Sequence, residues 1–496
     1  MNDVFPDKKS FLRLARKYNV IPVIVEISAD METPVSCYLK TGDRPYSYLL
    51  ESVEGGQNLA RYTFIGVSPS RVFRSKGREV TVEDPGKASK TFKTKSDPLA
   101  ELEKILKGYR QAPVGGLPPF CGGAVGYLSY DTVRFFEKIP DRNKDAQHIP
   151  DSLFIFTESL FIFDHIHRKL KVVCNAFLEN YRSPEEAYEE AVEKVQNEVR
   201  RLRGASAPAR TSAVRKAPYR QKIASNFSRA AFTRAVLKAK RYIKAGDIFQ
   251  VVLSQAFQTD LSVPAFDVYR SLRSINPSPY MFYLNGGDFQ LVGSSPEVHV
   301  RSEDGKAMLR PIAGTRKRGR SDAEDKKLEK ELLSDKKERA EHLMLVDLGR
   351  NDLGRVCRFR SVRVPEFMNL ERYSHVAHLM SVVTGELAAG KDALDALVAT
   401  FPAGTLSGAP KIRAMEIIDE LEPGSRGLYG GALGYLDMAG NLDFCIAIRT
   451  LVLGSGRATL QAGAGIVADS DPAAEERETE AKAGAMLAAL ELAARL

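Results

Sequence analysis

The chain alternates between segments whose hydrophobic residues follow a strand pattern and segments whose hydrophobic residues follow a helix pattern. Apolar runs rich in Phe, Ile and Leu at 153–156 and 160–163 predict strands. Residues 184–203 have the pattern of a long helix, with Ser183 as N-cap and Pro184 at the first helical position. Further helices are predicted at 231–245, 322–348, 411–421 and 473–496, and further strands at 247–257, 433–436 and 445–451. This mixture favours an α+β or α/β enzyme over a helical bundle or a β-sandwich.

A stretch rich in Ala, Ser and Pro interrupts the alternation after residue 203. It predicts a linker at 204–222 between an N-terminal portion, 1–203, and a C-terminal portion, 223–496. Lys and Arg outnumber Asp and Glu by 72 to 63, a net charge of +9 over 496 residues. Residues 200–222 hold eight basic residues and no acidic one, which leaves +1 for the rest of the chain. A positive charge confined to one such segment does not favour a nucleic-acid-binding function.

The sequence has the features of a protein that is neither exported nor inserted in a membrane. Its N-terminus is mixed and charged, and no apolar run approaches the roughly 18–20 residues of a transmembrane helix. The five cysteines lie far apart, without the spacing of a zinc site or a disulfide framework. We therefore expect reduced thiols, a cytoplasmic location and no membrane partner.

Two pairs of carboxylates have the spacing of a possible metal site. Glu338 and Glu341 lie on one predicted helix, and Glu475 and Glu478 lie near the start of another. A spacing of three residues places both carboxylates of a pair on one helical face, and two such faces could hold a hard cation such as Mg²⁺. The alternative is an ordinary solvated helix surface, on which Lys482 would pair with Glu478 four residues earlier.

Glycine-rich segments and histidines supply further candidates for chemistry. Residues 404–411 and 461–466 could place backbone amides around an anion, although each is also compatible with a simple turn. Neither segment matches the phosphate loop or the dinucleotide fingerprint. His375 and His378 are predicted on a helix or at its edge, where a histidine is either structural or a general acid or base. The residues alone thus indicate a Mg²⁺-dependent enzyme that acts on a small anionic substrate.

Six segments resemble, in sequence and in order, those of the chorismate-utilising enzymes. They are GDIFQVVLS (246–254), GSSPE (293–297), RPIAGT (310–315), EHLMLVDLGRND (341–352), FPAGTLSGAPK (401–411) and GAGIVADS (463–470). The resemblance implies an α+β fold of two stacked β-sheets flanked by helices, a four-layer sandwich. In that fold the N-terminal and C-terminal portions interleave.

Two positions make the chain similar to one branch of this family, the anthranilate synthases. Members that use water as the nucleophile carry a lysine where this chain has Gln250, and aminodeoxychorismate synthases typically carry one where it has Ala313. The resemblance implies Mg²⁺-dependent amination of chorismate to aminodeoxyisochorismate and then loss of pyruvate to give anthranilate, the first step of tryptophan biosynthesis. The alternatives are an aminodeoxychorismate synthase or, in another class, a non-catalytic protein that senses tryptophan or binds nucleic acid.

The resemblance also implies a role for individual residues. Glu341 and Glu478 would bind Mg²⁺, with Glu338 and Glu475 acting directly or through water. Glu297 would protonate the leaving hydroxyl, His378 would assist the elimination of pyruvate, and Thr405 would position the ring. The expected substrate-binding residues are Gln250, Gly314, Thr315, Tyr429, Arg449, Gly463, Ala464, Gly465 and Lys482.

Regulation and a partner follow from the same resemblance. A tryptophan pocket for feedback inhibition would be formed by two motifs, whose residues are Glu51, Ser52, Asn276, Pro279, Tyr280 and Met281. The alternative for these motifs is ordinary strand and turn packing. Because no segment resembles a glutamine amidotransferase, ammonia is expected from a separate amidotransferase subunit, component II, in a hetero-oligomer.

Overall fold

The computed structural model describes residues 3–52, 61–204, 222–319, 321–372 and 376–496, with only the backbone of Thr315, Asp322 and Val376. Nearly all of the predicted linker, 204–222, lies outside these ranges, and so does His375. The division of the chain into the portions 1–203 and 223–496 stays a prediction.

The described residues form helices throughout the chain. Twelve α-helices are described: α1 (Lys8–Leu14), α2 (Pro34–Thr41), α3 (Pro98–Lys107), α4 (Pro184–Arg203), α5 (Arg229–Ala245), α6 (Ala265–Ile275), α7 (Asp322–Ser334), α8 (Lys336–Gly354), α9 (Ala393–Thr400), α10 (Gly404–Ser407), α11 (Lys411–Leu421) and α12 (Pro472–Ala493).

Strands occupy much of the remainder. The described strands are β1 (Val4–Phe5), β2 (Val20–Ser28), β3 (Tyr48–Glu51), β4 (Tyr62–Lys76), β5 (Glu79–Glu83), β6 (Lys90–Lys93), β7 (Gly123–Leu128), β8 (Ser152–Asp164), β9 (Lys169–Phe177), β10 (Ala224–Ser225), β11 (Gln250–Asp260), β12 (Tyr280–Asn285), β13 (Phe289–Ser295), β14 (Val298–Glu303), β15 (Lys306–Leu309), β16 (Ile312–Lys317), β17 (Arg363–Arg372), β18 (Val376–Glu386), β19 (Gly408–Ala409), β20 (Ala432–Asp437), β21 (Leu442–Ile446), β22 (Thr450–Gly454) and β23 (Arg457–Ile466).

Local capping explains several of the helix boundaries. The Ser183 hydroxyl accepts a hydrogen bond from the Glu186 amide at the start of α4, as its position predicts. Helix α5 ends at Ala245, and the next residue, Gly246, adopts the left-handed conformation that ends many helices. The prediction of one helix over 322–348 is wrong, because Asp335 is extended and its carboxylate caps the amides of Lys337 and Glu338 at the start of α8.

The strand predictions have mixed outcomes. The runs at 153–156 and 160–163 are confirmed as strand, and both belong to one long strand, β8. The predicted strand at 445–451 is instead the end of β21 and the start of β22, with a turn between them. Arg449 lies in that turn with φ at 47°, a value that a regular strand does not allow.

The sheet has two parts, called here the first and the second wing, and the long strands β4 and β8 run through both. Residues 64–66 of β4 pair with β3, and the facing part of β8 pairs with β9. In the other half, β4 pairs with β5 and β8 pairs with β7. The first wing runs β1-β2-β9-β8-β4-β3-β12-β13-β22-β23-β11, and the second continues from β8 through β7-β20-β21-β14-β15-β18. All of these pairings are antiparallel.

Hydrophobic packing arranges the wings and helices into four layers. One buried cluster combines side chains of the two wings, including Leu284 of β12 and Leu433 of β20, so the two sheet faces stack. A second cluster packs α1, α2, α4, α6 and α12 on the first wing, and a third packs α3, α8, α9 and α11 on the second. This arrangement confirms the predicted α+β class. Among the described helices, none combines the length and apolar composition needed to cross a bilayer.

Candidate active site

Carboxylates of helices α8 and α12 face a common region at the end of the first wing. Burial and the negative charges of Glu338 and Glu478 raise the pKa of Glu341 on α8, while a hydrogen bond from Gln250 opposes this. Burial and the charge of Glu478 raise the pKa of Glu475 on α12. The two predicted carboxylate pairs are therefore close enough to repel each other.

Two of these carboxylates already have cationic neighbours. Arg316 donates a hydrogen bond of 3.0 Å to Glu338, whose other oxygen lies 3.1 Å from the position that a Cβ on Gly314 would take. Lys482 forms a 2.7 Å ion pair with Glu478. Lys482 also donates to the carbonyl oxygen of Gly463 at 2.9 Å, so it links the carboxylates to β23.

The oxygen donors of Glu341, Glu475 and Glu478 suit Mg²⁺, which binds through one or two carboxylates and keeps other positions for water and substrate. Within the described ranges, no group of three or more His, Cys, Asp or Glu side chains is arranged to hold a metal ion, so water and substrate would have to complete the coordination of a cation here. A cation between α8 and α12 would fit as an open site that relieves the mutual repulsion of these carboxylates.

A glycine-lined strand edge lies beside the carboxylates. Gly463 and Gly465 of β23 pair with Ser254 and Val252 of β11, whereas the pairing of β23 with β22 ends at Leu460. Beyond Leu460, the second edge of β23 has no neighbouring strand among the described residues, so its backbone groups can meet a ligand.

Both glycines have close neighbours, and at Gly463 these include the backbone carbonyl oxygen of Leu253, 2.9 Å from the position of an added Cβ. A Cβ on Gly463 would lie 2.6 Å from the Tyr429 hydroxyl, and a Cβ on Gly465 would lie 2.5 Å from Nε2 of Gln250. Ala464 between them is buried. The predicted residues Tyr429 and Gln250 thus converge on the predicted glycine segment.

His378 lies in strand β18, so its prediction on a helix or helix edge is wrong. Its backbone pairs with Thr315 of β16, a contact between segments more than sixty residues apart. The ring Nδ1 lies 2.9 Å from the carbonyl oxygen of Gly314, which can only accept, so Nδ1 carries the proton. Burial and the charge of Arg449 lower the pKa of His378, while the Gly314 carbonyl and Glu371 oppose this. The neutral ring presents Nε2 as a base.

Glu297 is a buried carboxyl between strands β13 and β14, and it is 9% exposed. Burial raises its pKa to about 8, although the Thr405 hydroxyl, Arg449 and Lys482 act in the opposite direction. Glu297 is therefore protonated at neutral pH and can act as a general acid.

Of the two threonines predicted to position the substrate ring, the structure describes the side chain of Thr405 but not that of Thr315. The buried Thr405 Oγ1 is near enough to lower the pKa of Glu297 but makes no hydrogen bond of normal geometry with any described residue. The predicted contact of the Thr315 side chain with the ring lies outside the described part. The charge of Arg449 acts to lower the pKa of both Glu297 and His378, so Arg449 lies within electrostatic range of each.

A cavity of about 420 Å³ lies where the two wings meet, between β3, β12, β20 and β21. Five of the six residues predicted for a tryptophan pocket line it: Glu51, Ser52, Pro279, Tyr280 and Met281. Asn276 does not line this cavity. Its backbone carbonyl accepts from the Ser294 hydroxyl at 2.5 Å, and its side-chain amide donates to the same hydroxyl oxygen at 3.3 Å.

Polar groups of this cavity are held in different ways. Glu51 accepts hydrogen bonds from Tyr269 and, at 2.9 and 3.2 Å, from Arg273, both on α6. The Ser52 hydroxyl is buried and has no hydrogen-bond partner among the described residues. Other lining residues had no recognisable sequence signal, because they come from distant strands: Arg61, Tyr62, Phe64, Arg301, Tyr435, Asp443 and Cys445.

Comparisons with known proteins agree over nearly the whole chain. Residues 46–488 match the family model described as chorismate binding enzyme. The chain is 47% identical over 481 residues to anthranilate synthase component 1 of Acetivibrio thermocellus, covering 96% of this chain and 97% of that protein. It is 48% identical over 482 residues to the same-named protein of Aquifex aeolicus, covering 97% of each. The crystal structure of anthranilate synthase component I from Streptococcus pneumoniae matches with a TM-score of 0.77 at 38% identity, covering 88% of this chain and 94% of that one.

Proposed function

This chain belongs to the chorismate-binding enzymes, and we propose that it is the component of an anthranilate synthase that converts chorismate and ammonia to anthranilate. The observation that carries the mechanism is the contrast between Glu297, a buried carboxyl that is protonated at neutral pH, and His378, whose ring holds its proton on Nδ1 at 2.9 Å from the Gly314 carbonyl oxygen. Amination and elimination each need a proton transfer, and the two side chains have the opposite protonation states that these transfers require.

Chorismate is a dianion, and the site offers two regions that suit its carboxylates. Arg449, the Tyr429 hydroxyl and the open edge of β23 would receive the carboxylate of the enolpyruvyl arm. The ring carboxylate would lie towards Glu341 and Glu478. A Mg²⁺ ion held by these glutamates, with Glu338 and Glu475 beside them, would offset the charge of the ring carboxylate and orient it.

The first step replaces a hydroxyl by an amine. A C–N bond forms between ammonia and ring C2 while the C–O bond at C4 breaks. Glu297 gives its proton to the departing oxygen, so that water leaves and the carboxylate of Glu297 remains. Gln250 lies at the start of β11 beside Glu341, where a neutral side chain leaves the incoming ammonia unprotonated.

The second step makes the ring aromatic. Nε2 of His378 would accept the proton from C2 while the bond between ring C3 and the enolpyruvyl oxygen breaks. The enolate that leaves becomes pyruvate when it takes up a proton, which the imidazolium of His378 or water can return. The hydrogen bond from Nδ1 to Gly314 holds the ring in the tautomer that this transfer requires. Thr405, next to Glu297, would position the substrate ring, and Thr315 on the strand beside His378 would do the same.

Ammonia would come from a separate glutamine amidotransferase subunit in a hetero-oligomer. The relatives are named as component 1, a name that implies a second component. Tryptophan would inhibit the enzyme from the cavity lined by Glu51, Ser52 and Met281. A cytoplasmic location is supported by the five cysteines, all of them described and all unpaired.

Product analysis of the purified chain tests this function. With chorismate and Mg²⁺, ammonium should yield anthranilate and pyruvate in equal amounts, glutamine alone should yield neither, and EDTA should stop the reaction. Accumulation of aminodeoxychorismate without pyruvate would contradict the proposed reaction. Use of glutamine by the chain alone would contradict the proposed partner.

A further inference from the structure

A fully buried arginine connects the elements that form the substrate side of the active site. Arg426 lies five residues after the end of α11 and is 1% exposed. Its Nη1 donates to the carbonyl oxygen of Leu406 at 2.6 Å, and its Nη2 donates to the carbonyl oxygen of Val252 at 2.7 Å. One guanidinium therefore joins α10 to β11.

The same guanidinium pairs with a buried carboxylate and stacks against two aromatic rings. Glu422 accepts from Arg426 at 2.6 and 3.0 Å. The guanidinium carbon lies 4.8 Å from the ring centre of Tyr130 and 5.4 Å from that of Tyr429. Glu422 in turn accepts two hydrogen bonds of 2.8 Å from the backbone and the hydroxyl of Ser254.

All of these partners except Tyr130 lead to a residue already assigned to the substrate. Leu406 follows Thr405, and Tyr429 is itself assigned. On β11, Val252 pairs with Gly465 and Ser254 pairs with Gly463. Since Arg426 is buried, it acts on the substrate only through these neighbours.

We propose that Arg426, held by Glu422, is a positioning residue that fixes Thr405, Tyr429 and the glycine edge of β23 relative to one another. This inference rests on the proposed function, because those three elements are assigned to substrate there. It adds a residue pair that none of the motifs identified from the sequence contains.

The chemistry of the pair explains why these residue types occupy the position. A buried ion pair is generally no more stabilising than well-packed hydrophobic residues of the same size, so stability alone does not require one. A planar guanidinium offers five donors in a fixed fork and two faces for aromatic rings. A lysine has one charged nitrogen and cannot meet three acceptor groups and two rings at once.

Arg426→Lys is the direct test, with Arg71→Lys as the matched control. Arg71 on β4 also holds a carboxylate, that of Asp84, at 2.6 and 3.1 Å, and lies 5.8 Å from the ring centre of Tyr109, but these partners lead to no assigned substrate residue. Initial rates of anthranilate formation from chorismate and ammonium are measured well below the unfolding temperature of each variant. We expect Arg426→Lys to raise the chorismate KM roughly tenfold and to lower kcat about threefold or more, and Arg71→Lys to leave both within about twofold of wild type.

Glu422→Gln keeps the shape of the pair and supplies a second test if Arg426→Lys does not fold. This variant should give a smaller change in the same direction, with KM raised about threefold or more. Wild-type kcat and KM in a folded Arg426→Lys or, where that variant does not fold, in Glu422→Gln would overturn the positioning role and leave a structural role only. The wild-type protein in the same assay separates the outcomes, because failure of the proposed function would remove its activity as well.

Discussion

The side-chain amide of Gln250 donates a hydrogen bond of 3.2 Å to the carboxylate of Glu341. Gln250 begins β11 and is buried, whereas Glu341 lies one turn into α8, so the contact ties the substrate-side strand to the helix proposed to hold Mg²⁺. A residue that orients a metal ligand in this way typically changes metal affinity when it is replaced.

Gln250→Leu should therefore raise the Mg²⁺ concentration needed for half-maximal activity by roughly tenfold, because one oxygen of Glu341 loses its orienting donor. Titration of ammonium-dependent activity with Mg²⁺ measures this change. Gln258→Leu is the control, since Gln258 lies on the same strand and its amide contacts Thr459 at 3.4 Å, away from Glu341. An unchanged Mg²⁺ requirement in Gln250→Leu would contradict the role of Gln250 in orienting Glu341 for metal binding.

His378→Ala should separate the two chemical steps. Without Nε2 as the base, pyruvate elimination should slow by roughly 100-fold or more. Amination, which uses Glu297 as the acid, should continue. Chromatography of the reaction mixture should then show aminodeoxyisochorismate accumulating in place of anthranilate. His167→Ala, at an exposed histidine paired with Asp164, should behave as wild type. Unchanged anthranilate turnover in His378→Ala would exclude the assigned role.

The raised pKa of Glu297 predicts how activity depends on pH. Only the protonated carboxyl can give a proton to the leaving hydroxyl, so kcat should fall as the pH rises through about 8. Glu297→Gln should lose activity by roughly 100-fold or more at every pH. A kcat that stays constant from pH 6 to 9.5 would show that another group is the acid.

The same carboxyl should influence stability in the absence of substrate. Its folded-state pKa lies above that of an unfolded glutamate, so its contribution is complete at low pH and is lost as the pH rises towards 8 and beyond. Glutamine does not ionise, so the free energy of unfolding of Glu297→Gln, measured relative to that of wild type, should increase by on the order of a few kcal/mol from pH 5 to pH 9. Chemical denaturation at both pH values measures the difference. A constant difference would place the pKa of Glu297 near its ordinary value.

Ser52→Ala should weaken inhibition by tryptophan without affecting the uninhibited rate. The buried Ser52 hydroxyl lacks a described partner in the cavity, so a bound ligand can supply one. Its loss should raise the tryptophan concentration for half inhibition roughly five- to tenfold, which corresponds to about 1 kcal/mol. Ser152→Ala is the control, because Ser152 bonds to Ser75 outside the cavity. Equal inhibition of Ser52→Ala and wild type would place tryptophan elsewhere.

Local sequence patterns predicted most helices well but missed features that depend on long-range contacts. Helix α11 begins and ends as predicted, since its apolar spacing is regular and Pro410 precedes it. The break at Asp335 lies in a continuous run of helix-forming residues and is visible only once its carboxylate caps α8. His378 belongs to a strand because β18 pairs with both β16 and β17, and no local pattern carries that information.

In the candidate site, too, some features could be predicted from local sequence and others depend on long-range contacts. Residues within recognisable motifs, such as Glu297 and Gly463, could be identified from the sequence, although their chemical roles stay predictions. The protonation states of Glu297 and His378 could not, because they depend on burial and on neighbours from other strands. The buried pair of Arg426 and Glu422 lies outside every quoted motif, and only the fold reveals which elements it connects.

The central claim is tested most directly by the fluorescence of anthranilate formed by the purified chain from chorismate and ammonium. We predict a signal that requires Mg²⁺, that appears without any amidotransferase and that tryptophan suppresses. Anthranilate formation that ignores tryptophan would leave the catalytic assignment intact and contradict the assigned inhibitor cavity. Chorismate left unconsumed, even after addition of an amidotransferase subunit, would contradict the catalytic assignment itself.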